Sequence, residues 1–229
     1  FFTRQLRPGV RPVASPSDDA VVANACESTP YNLARTAALR AKFWIKGQPY
    51  SVLDMLAHDP LSAQFDSATV YQAFLSALSY HRWHAPISGR IVRAFVKDGT
   101  YFSEPLFTEE PSASASASPS LYSIDAQGFR ASQGYLTALA TRAVIFIQAD
   151  NAAIGLMAFV GVGMDEVSTC EITVQQGQHV SKGDQLGMFH FGGSSHCLLF
   201  REGVKVDQFP KIGVNQNVPV RSQVAVVMP

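Results

Sequence analysis

The chain has 229 residues, 47% of them hydrophobic, which is enough for one sizeable core and excludes a disordered chain. Lysine plus arginine equal aspartate plus glutamate at 18 each, so no net basic field points to nucleic acid or to an anionic membrane surface. No run approaches the ~20 apolar residues of a membrane helix and the start lacks a signal-peptide pattern, while Cys26, Cys170 and Cys197 have an odd count and no metal-like spacing, so reduced thiols in a soluble, cytoplasmic protein are expected.

Residues 1–13 carry Arg4, Arg7 and Arg11 with prolines at 8 and 12, which predicts an extended entry strap rather than a helix. Residues 20–28 read as a short buried strand ending in polar residues. From 51 to 80, Val52, Leu53 and Leu56, then Val70, Phe74, Leu75 and Leu78, recur at spacings of three and four. This predicts two helices broken at His58-Asp59-Pro60.

In Tyr80-His81-Arg82-Trp83-His84-Ala85-Pro86 two histidines stand three apart. On a helix they could share a metal, but no third ligand of suitable spacing follows, and no metal is predicted. On an extended segment the two rings would separate by direction or depth and could take separate roles. Glycine-punctuated stretches at 86–99 and 177–187 resemble the hammerhead turns of biotinyl and lipoyl carrier domains. They predict two pseudo-repeated β units packed as a barrel-sandwich. The Met-Lys-Met or Asp-Lys-Ala hairpin tip that a carrier would need is absent.

Residues 109–120 are low in complexity and predict a loop. Residues 143–149 and 154–162 predict a buried β-hairpin around Asp150-Asn151. Two further apolar runs, Gln185–Phe191 and Cys197–Phe200, flank Gly192-Gly193-Ser194-Ser195. That tetrapeptide by itself is an ordinary turn. Between two strands its glycines allow close backbone approach, and a self-processing site becomes the sharper reading. Attack of Ser194 Oγ on the Gly193 carbonyl would turn the amide into an ester. β-Elimination would then leave dehydroalanine, which hydrolyses to a pyruvoyl group.

Met188-Phe189-His190-Phe191-Gly192-Gly193-Ser194-Ser195 resembles the Leu-Gly-Ser-Thr cleavage motif of the phosphatidylserine decarboxylase family. Phe1-Phe2-Thr3-Arg4-Gln5-Leu6-Arg7-Pro8, Arg11-Pro12-Val13 and Tyr80–Pro86 are similar to that family's other landmarks, so the likeness covers nearly the whole chain. Ala25-Cys26-Glu27-Ser28, Gly99-Thr100-Tyr101-Phe102 and Ser168-Thr169-Cys170-Glu171 resemble its soluble fungal branch, the L-tryptophan decarboxylases of psilocybin-type pathways.

The resemblance implies a pyruvoyl-dependent carboxy-lyase, self-cleaved at Gly193–Ser194. It forms a Schiff base with an aromatic L-amino acid, L-tryptophan by the branch, and yields the amine and carbon dioxide. His84 matches the base that activates Ser194, and His81 the acid that reprotonates the α-carbon. The family aspartate is missing. Without a gap Cys26 takes its place, and with a one-residue shift Glu27 does; a carboxylate orients a histidine better, which favours Glu27. Phe191, Trp83 and His196 are the candidates for contact with the substrate.

The expected fold is thus α+β and β-dominated, with a barrel-sandwich-like core and a few short helices. It forms one domain over 1–229, divided after cleavage into a large chain 1–193 and a small chain 194–229. The partners expected are the amino acid and the chain's own small fragment, without nucleic acid or stable membrane insertion; a homo-oligomer stays open. The start at Phe1 predicts a preceding segment in a longer protein. The alternatives are a phosphatidylserine decarboxylase, making phosphatidylethanolamine, and a non-catalytic relative or binding module.

Overall fold

A computed structural model of the chain describes residues 1–40, 50–100, 133–163, 169–190 and 194–228. Strands dominate, all paired antiparallel. The largest sheet has seven, in the order β2 (Thr29–Ala37), β3 (Ala68–Leu75), β11 (Ser194–Phe200), β7 (Leu156–Gly163), β6 (Arg142–Ala149), β5 (Gly89–Lys97) and β9 (His179–Val180). A second sheet runs β1 (Val21–Ala23), β13 (Gln223–Val227), β12 (Val206–Asp207), and a third β4 (Arg82–His84), β10 (Gln185–Phe189), β8 (Cys170–Ile172).

The inner strands of the seven-stranded sheet, β3, β11, β7 and β6, are buried on both faces, and the strand period decides which residue goes where. In β11, Leu198 and Phe200 enter one core with Trp83, Leu186 and Phe189 from the third sheet and Val22, Val206 and Val224 from the second. Cys197 and Leu199 enter the other core, under α1 (Val52–Met55), a 3₁₀ helix (Pro60–Phe65) and α2 (Gln133–Leu139). Each fully buried leucine or phenylalanine contributes roughly 1.5–3 kcal/mol. Arg142 ties the helical layer to β6: its guanidinium donates to the carbonyls of Met55 (2.8 Å) and Asp54 (2.5 Å) in the last turn of α1 and of Ala140 (2.8 Å) just after α2. Burial pushes its pKa down to about 10.

The β-dominated α+β expectation holds, and the hairpin around Asp150-Asn151 is β6–β7. Residues 68–75 differ from the helix predicted for them: they form β3, between β2 and β11. Val70 and Phe74, four apart, share a face on a strand as well as on a helix. Tyr71, Ala73 and Leu75 fill the opposite core, so the segment is apolar on both sides, as an inner strand must be.

The two glycine-punctuated stretches fold differently, the first as the long strand β5 and the second as β9 and β10 in separate sheets. Among the described residues no sheet closes into a barrel. The segment 109–120 lies outside the described residues. The strap is docked: Arg82 donates to the carbonyls of Thr3 (2.6 Å) and Arg4 (3.1 Å), and Arg4 to those of Leu78 (3.0 Å) and Ser79 (2.8 Å).

Candidate active site

Ser194 is the first residue of β11, with its Cα facing Leu75 of β3 and Gly163 of β7. Alternation separates it from Ser195. Ser195 points to the helical side, where its Oγ accepts from Gln72 Nε2 (3.0 Å); Gln72 Oε1 in turn accepts from the Tyr50 hydroxyl (2.6 Å) and Tyr50 from Asn32 Nδ2 (3.2 Å). Ser194 shares the other side with His196, and its fully buried Oγ makes no hydrogen bond among the described residues. One serine is committed to a network; the other hydroxyl has no partner among the described residues. Phe191 and Gly193 lie outside the described residues.

β4 has the same two-sidedness. Trp83 packs on Phe189 (4.7 Å between ring centroids) and Phe159 (5.5 Å), over Gly187, whose Cβ, if it had one, would stand 2.6 Å from the indole. His81, two residues earlier, is fully buried against Phe189 (6.5 Å) and against Phe2 of the strap (5.4 Å). Arg82 and His84 alternate to the opposite face. The two histidines therefore part by direction, which removes a shared metal site.

His84 Nδ1 stands 2.8 Å from the Gly183 carbonyl, and Nε2 stands 3.0 Å from the Tyr80 hydroxyl, with the rings stacked at 5.8 Å. A carbonyl only accepts, so Nδ1 carries the proton and Tyr80 donates to Nε2. Gly183 presents that carbonyl from a turn with φ +90°, a conformation open to glycine. Arg221 Nε donates to the same carbonyl at 3.1 Å. Burial first, then the Arg221 charge, push the His84 pKa down to about 4, so the ring is neutral at pH 7.

The expected pairing of Glu27 with His84 is not formed. The Glu27 carboxylate accepts from Arg11 Nε (2.9 Å) and Nη2 (2.7 Å), Asn217 Nδ2 (2.7 Å) and the Val220 N–H (3.0 Å). Burial pushes its pKa up, but these hydrogen bonds and the Arg11 charge outweigh it and leave the pKa below the usual carboxylate value. Cys26 is fully buried, and burial pushes its thiol pKa well up. Among the described residues no carboxylate hydrogen-bonds the His84 ring; a carbonyl and a phenol orient it instead, and the Asp184 charge acts on it only as a smaller, pKa-raising influence.

His196 is fully buried between Phe159 and Tyr71, each 6.1 Å away by ring centroids, and neither ring nitrogen makes a hydrogen bond among the described residues. Burial pushes its pKa down to about 3. Trp83 and His196 thus sit inside the core, not on an open surface. Lys182, in the later glycine-punctuated turn, is also buried, and its ammonium donates to the carbonyls of Ser15, Asp18 and Val21, the reverse of a presented carrier lysine.

The strap and the β3–β4 turn enclose an open groove of about 490 Å³, lined among others by Arg4, Val10, Arg11, Glu27, Leu78 and Tyr80. Sequence reasoning missed Tyr80, Gly183, Arg221 and this role of Arg11. Tyr80 stood inside a motif already singled out; nothing in the sequence marks Gly183 or Arg221 as neighbours of His84.

One family model and three known proteins bear on this site. The family model for phosphatidylserine decarboxylase matches residues 1–225. Decarboxylase iboD of Amanita muscaria is 46% identical over 202 residues, covering 87% of this chain and 57% of that protein. L-tryptophan decarboxylase of Psilocybe cyanescens is 40% identical over 222 residues, covering 93% and 48%; phosphatidylserine decarboxylase proenzyme 2 of Oryza sativa subsp. japonica is 27% identical over 208 residues, covering 90% and 30%. The chain spans about half the length of the two fungal relatives. With residues 1–225 matched, the chain belongs to the phosphatidylserine decarboxylase family.

Proposed function

We propose that the chain is the catalytic part of a pyruvoyl-dependent decarboxylase that cleaves itself at Gly193–Ser194 and acts on an aromatic L-amino acid, with L-tryptophan the first candidate. The observation that carries the reading is the inequality of the two serines: Ser195 Oγ is bound by Gln72 and Ser194 Oγ by no described residue. In the first step Ser194 Oγ loses its proton to a base and bonds to the Gly193 carbonyl carbon, and the Gly193–Ser194 C–N bond breaks. The nitrogen takes up a proton and stands as a free amine on a chain still joined through the ester. β-Elimination then breaks the Ser194 Cβ–Oγ bond, leaving a carboxylate on Gly193 and dehydroalanine at 194, which tautomerises to an imine, takes up water and releases ammonia to leave the pyruvoyl carbonyl.

His84 is the base. It is neutral at pH 7 and its Nε2 lone pair faces a hydroxyl that can turn away. His81, whose ring shares the core side that Ser194 faces, supplies the proton to the α-carbon. The buried hydroxyl of Ser194 fits a pyruvoyl precursor, and the pyruvoyl group supplies an electron sink as carbon dioxide departs. The aromatic substrate is favoured by the 40% identity to a protein named L-tryptophan decarboxylase. The second reading, phosphatidylserine decarboxylation, has the family model behind it. Among the described residues no helix is long and apolar enough to cross a membrane.

Intact mass of the denatured protein tests the first half. Two fragments are expected, the smaller with a blocked amino end, and Ser194→Ala is expected to give one uncut chain. Carbon dioxide release from tryptophan and from phosphatidylserine liposomes tests the second. A chain that stays whole and is inert to both would favour a non-catalytic relative.

A further inference from the structure

The groove under the strap lies at the reacting end of two elements. Ser76 lines it and directly follows Leu75, whose Cα faces that of Ser194 across the β3–β11 pair; this puts the Ser76 and Ser194 Cα atoms within about 9 Å of each other. Tyr80 lines it too, and hydrogen-bonds His84. At about 490 Å³ it has the capacity of a small-ligand site.

Its lining selects among ligands. Val10 and Leu78 are 39% and 79% exposed, an apolar surface left open. Glu27 accepts four hydrogen bonds, two of them from Arg11, so its lone pairs are filled and it acts by fixing the Arg11 guanidinium. Arg11 keeps Nη1 without a hydrogen bond among the described residues, and its side chain is 39% exposed. The charge of that guanidinium is already balanced by Glu27. Arg4, the other cation of the lining, spends its donors on the carbonyls of Phe1, Leu78 and Ser79 and lies over the Phe1 ring. A neutralised planar cation beside exposed leucine and valine offers little to a phosphate or a second carboxylate. It suits the face of an electron-rich ring.

We propose that this groove binds the side chain of a free aromatic amino acid, its ring on Val10 and Leu78 and against the Arg11 guanidinium, with Glu27 as the positioning residue for Arg11. The proposal rests on the decarboxylase reading and deepens it by giving the substrate class a surface.

The test is steady-state decarboxylation of tryptophan and of leucine by the mature protein, with self-cleavage followed by intact mass. Arg11→Ala and Arg11→Lys, which remove the planar face, are expected to raise KM for tryptophan roughly 5- to 30-fold. The loss should fall in KM rather than kcat, shrink the preference over leucine, and leave cleavage complete. Leu78→Glu, at an exposed position away from the ion pair, is expected to raise the same KM and guards against misfolding of the Arg11 variants. An unchanged KM for tryptophan in Leu78→Glu and either Arg11 variant overturns the proposal, as does a loss confined to kcat. If liposomal phosphatidylserine is decarboxylated and tryptophan is not, the groove assignment falls while self-cleavage stands. If Ser194→Ala still cleaves, or the protein releases carbon dioxide from neither, the underlying reading falls with it.

Discussion

His84 and His196 are both held neutral by burial, with pKa values pushed down to about 4 and about 3. In the unfolded chain an imidazole titrates near 6.5. Below that pH the unfolded state binds protons that the folded state refuses, so stability is whole above about 6.5 and falls as the pH drops toward 4 and then 3. The loss from His84 alone is on the order of 3 kcal/mol. His196→Phe removes one of these groups and two nitrogens that make no hydrogen bond among the described residues. The gap between its urea midpoints at pH 7.5 and pH 5 is therefore expected to be narrower than in the unmutated protein; an equal gap would mean that His196 is solvated in solution. Ser194 was legible from the sequence because glycines beside serines between two apolar runs form a local pattern. The partner of Glu27 was not, because Arg11, Asn217 and Val220 meet only after the chain has folded.

At the scale of elements, β4 and β10 of the third sheet meet closely where the Trp83 indole lies on Gly187. A methyl group there would stand 2.6 Å from the indole and 2.2 Å from the Glu171 carbonyl, so neither a rotamer change nor a small backbone shift makes room. Gly187→Ala is expected to cost about 2–3 kcal/mol, read as a lower thermal midpoint with a lowered yield of cleaved chain. Retained stability would show that β4 and β10 separate more easily than their packing implies. Strands β6 and β7 were readable as runs of branched and aromatic residues. β3 was not, because a four-residue repeat of apolar side chains is common to a helix face and a strand face, and what distinguishes them here is β11, more than a hundred residues further along.

Across the whole molecule, the strands of residues 194–229 are distributed, not gathered. β11 lies in the interior of the seven-stranded sheet, between β3 and β7, while β12 and β13 complete the sheet that begins with β1. The sequence carried the β-dominated class. It did not carry the layering, which depends on pairings between distant segments. If the bond before Ser194 is broken, the mature protein is a heterodimer whose smaller member is threaded through the larger. Its unfolding releases two molecules where the uncut chain releases one, so its melting temperature should rise with protein concentration while that of Ser194→Ala stays fixed. Cooling a melted sample would then ask two separate strangers to find each other and rebuild a central strand. The cut would make refolding a meeting of two chains, so the working life of the assembled protein depends on how slowly it comes apart.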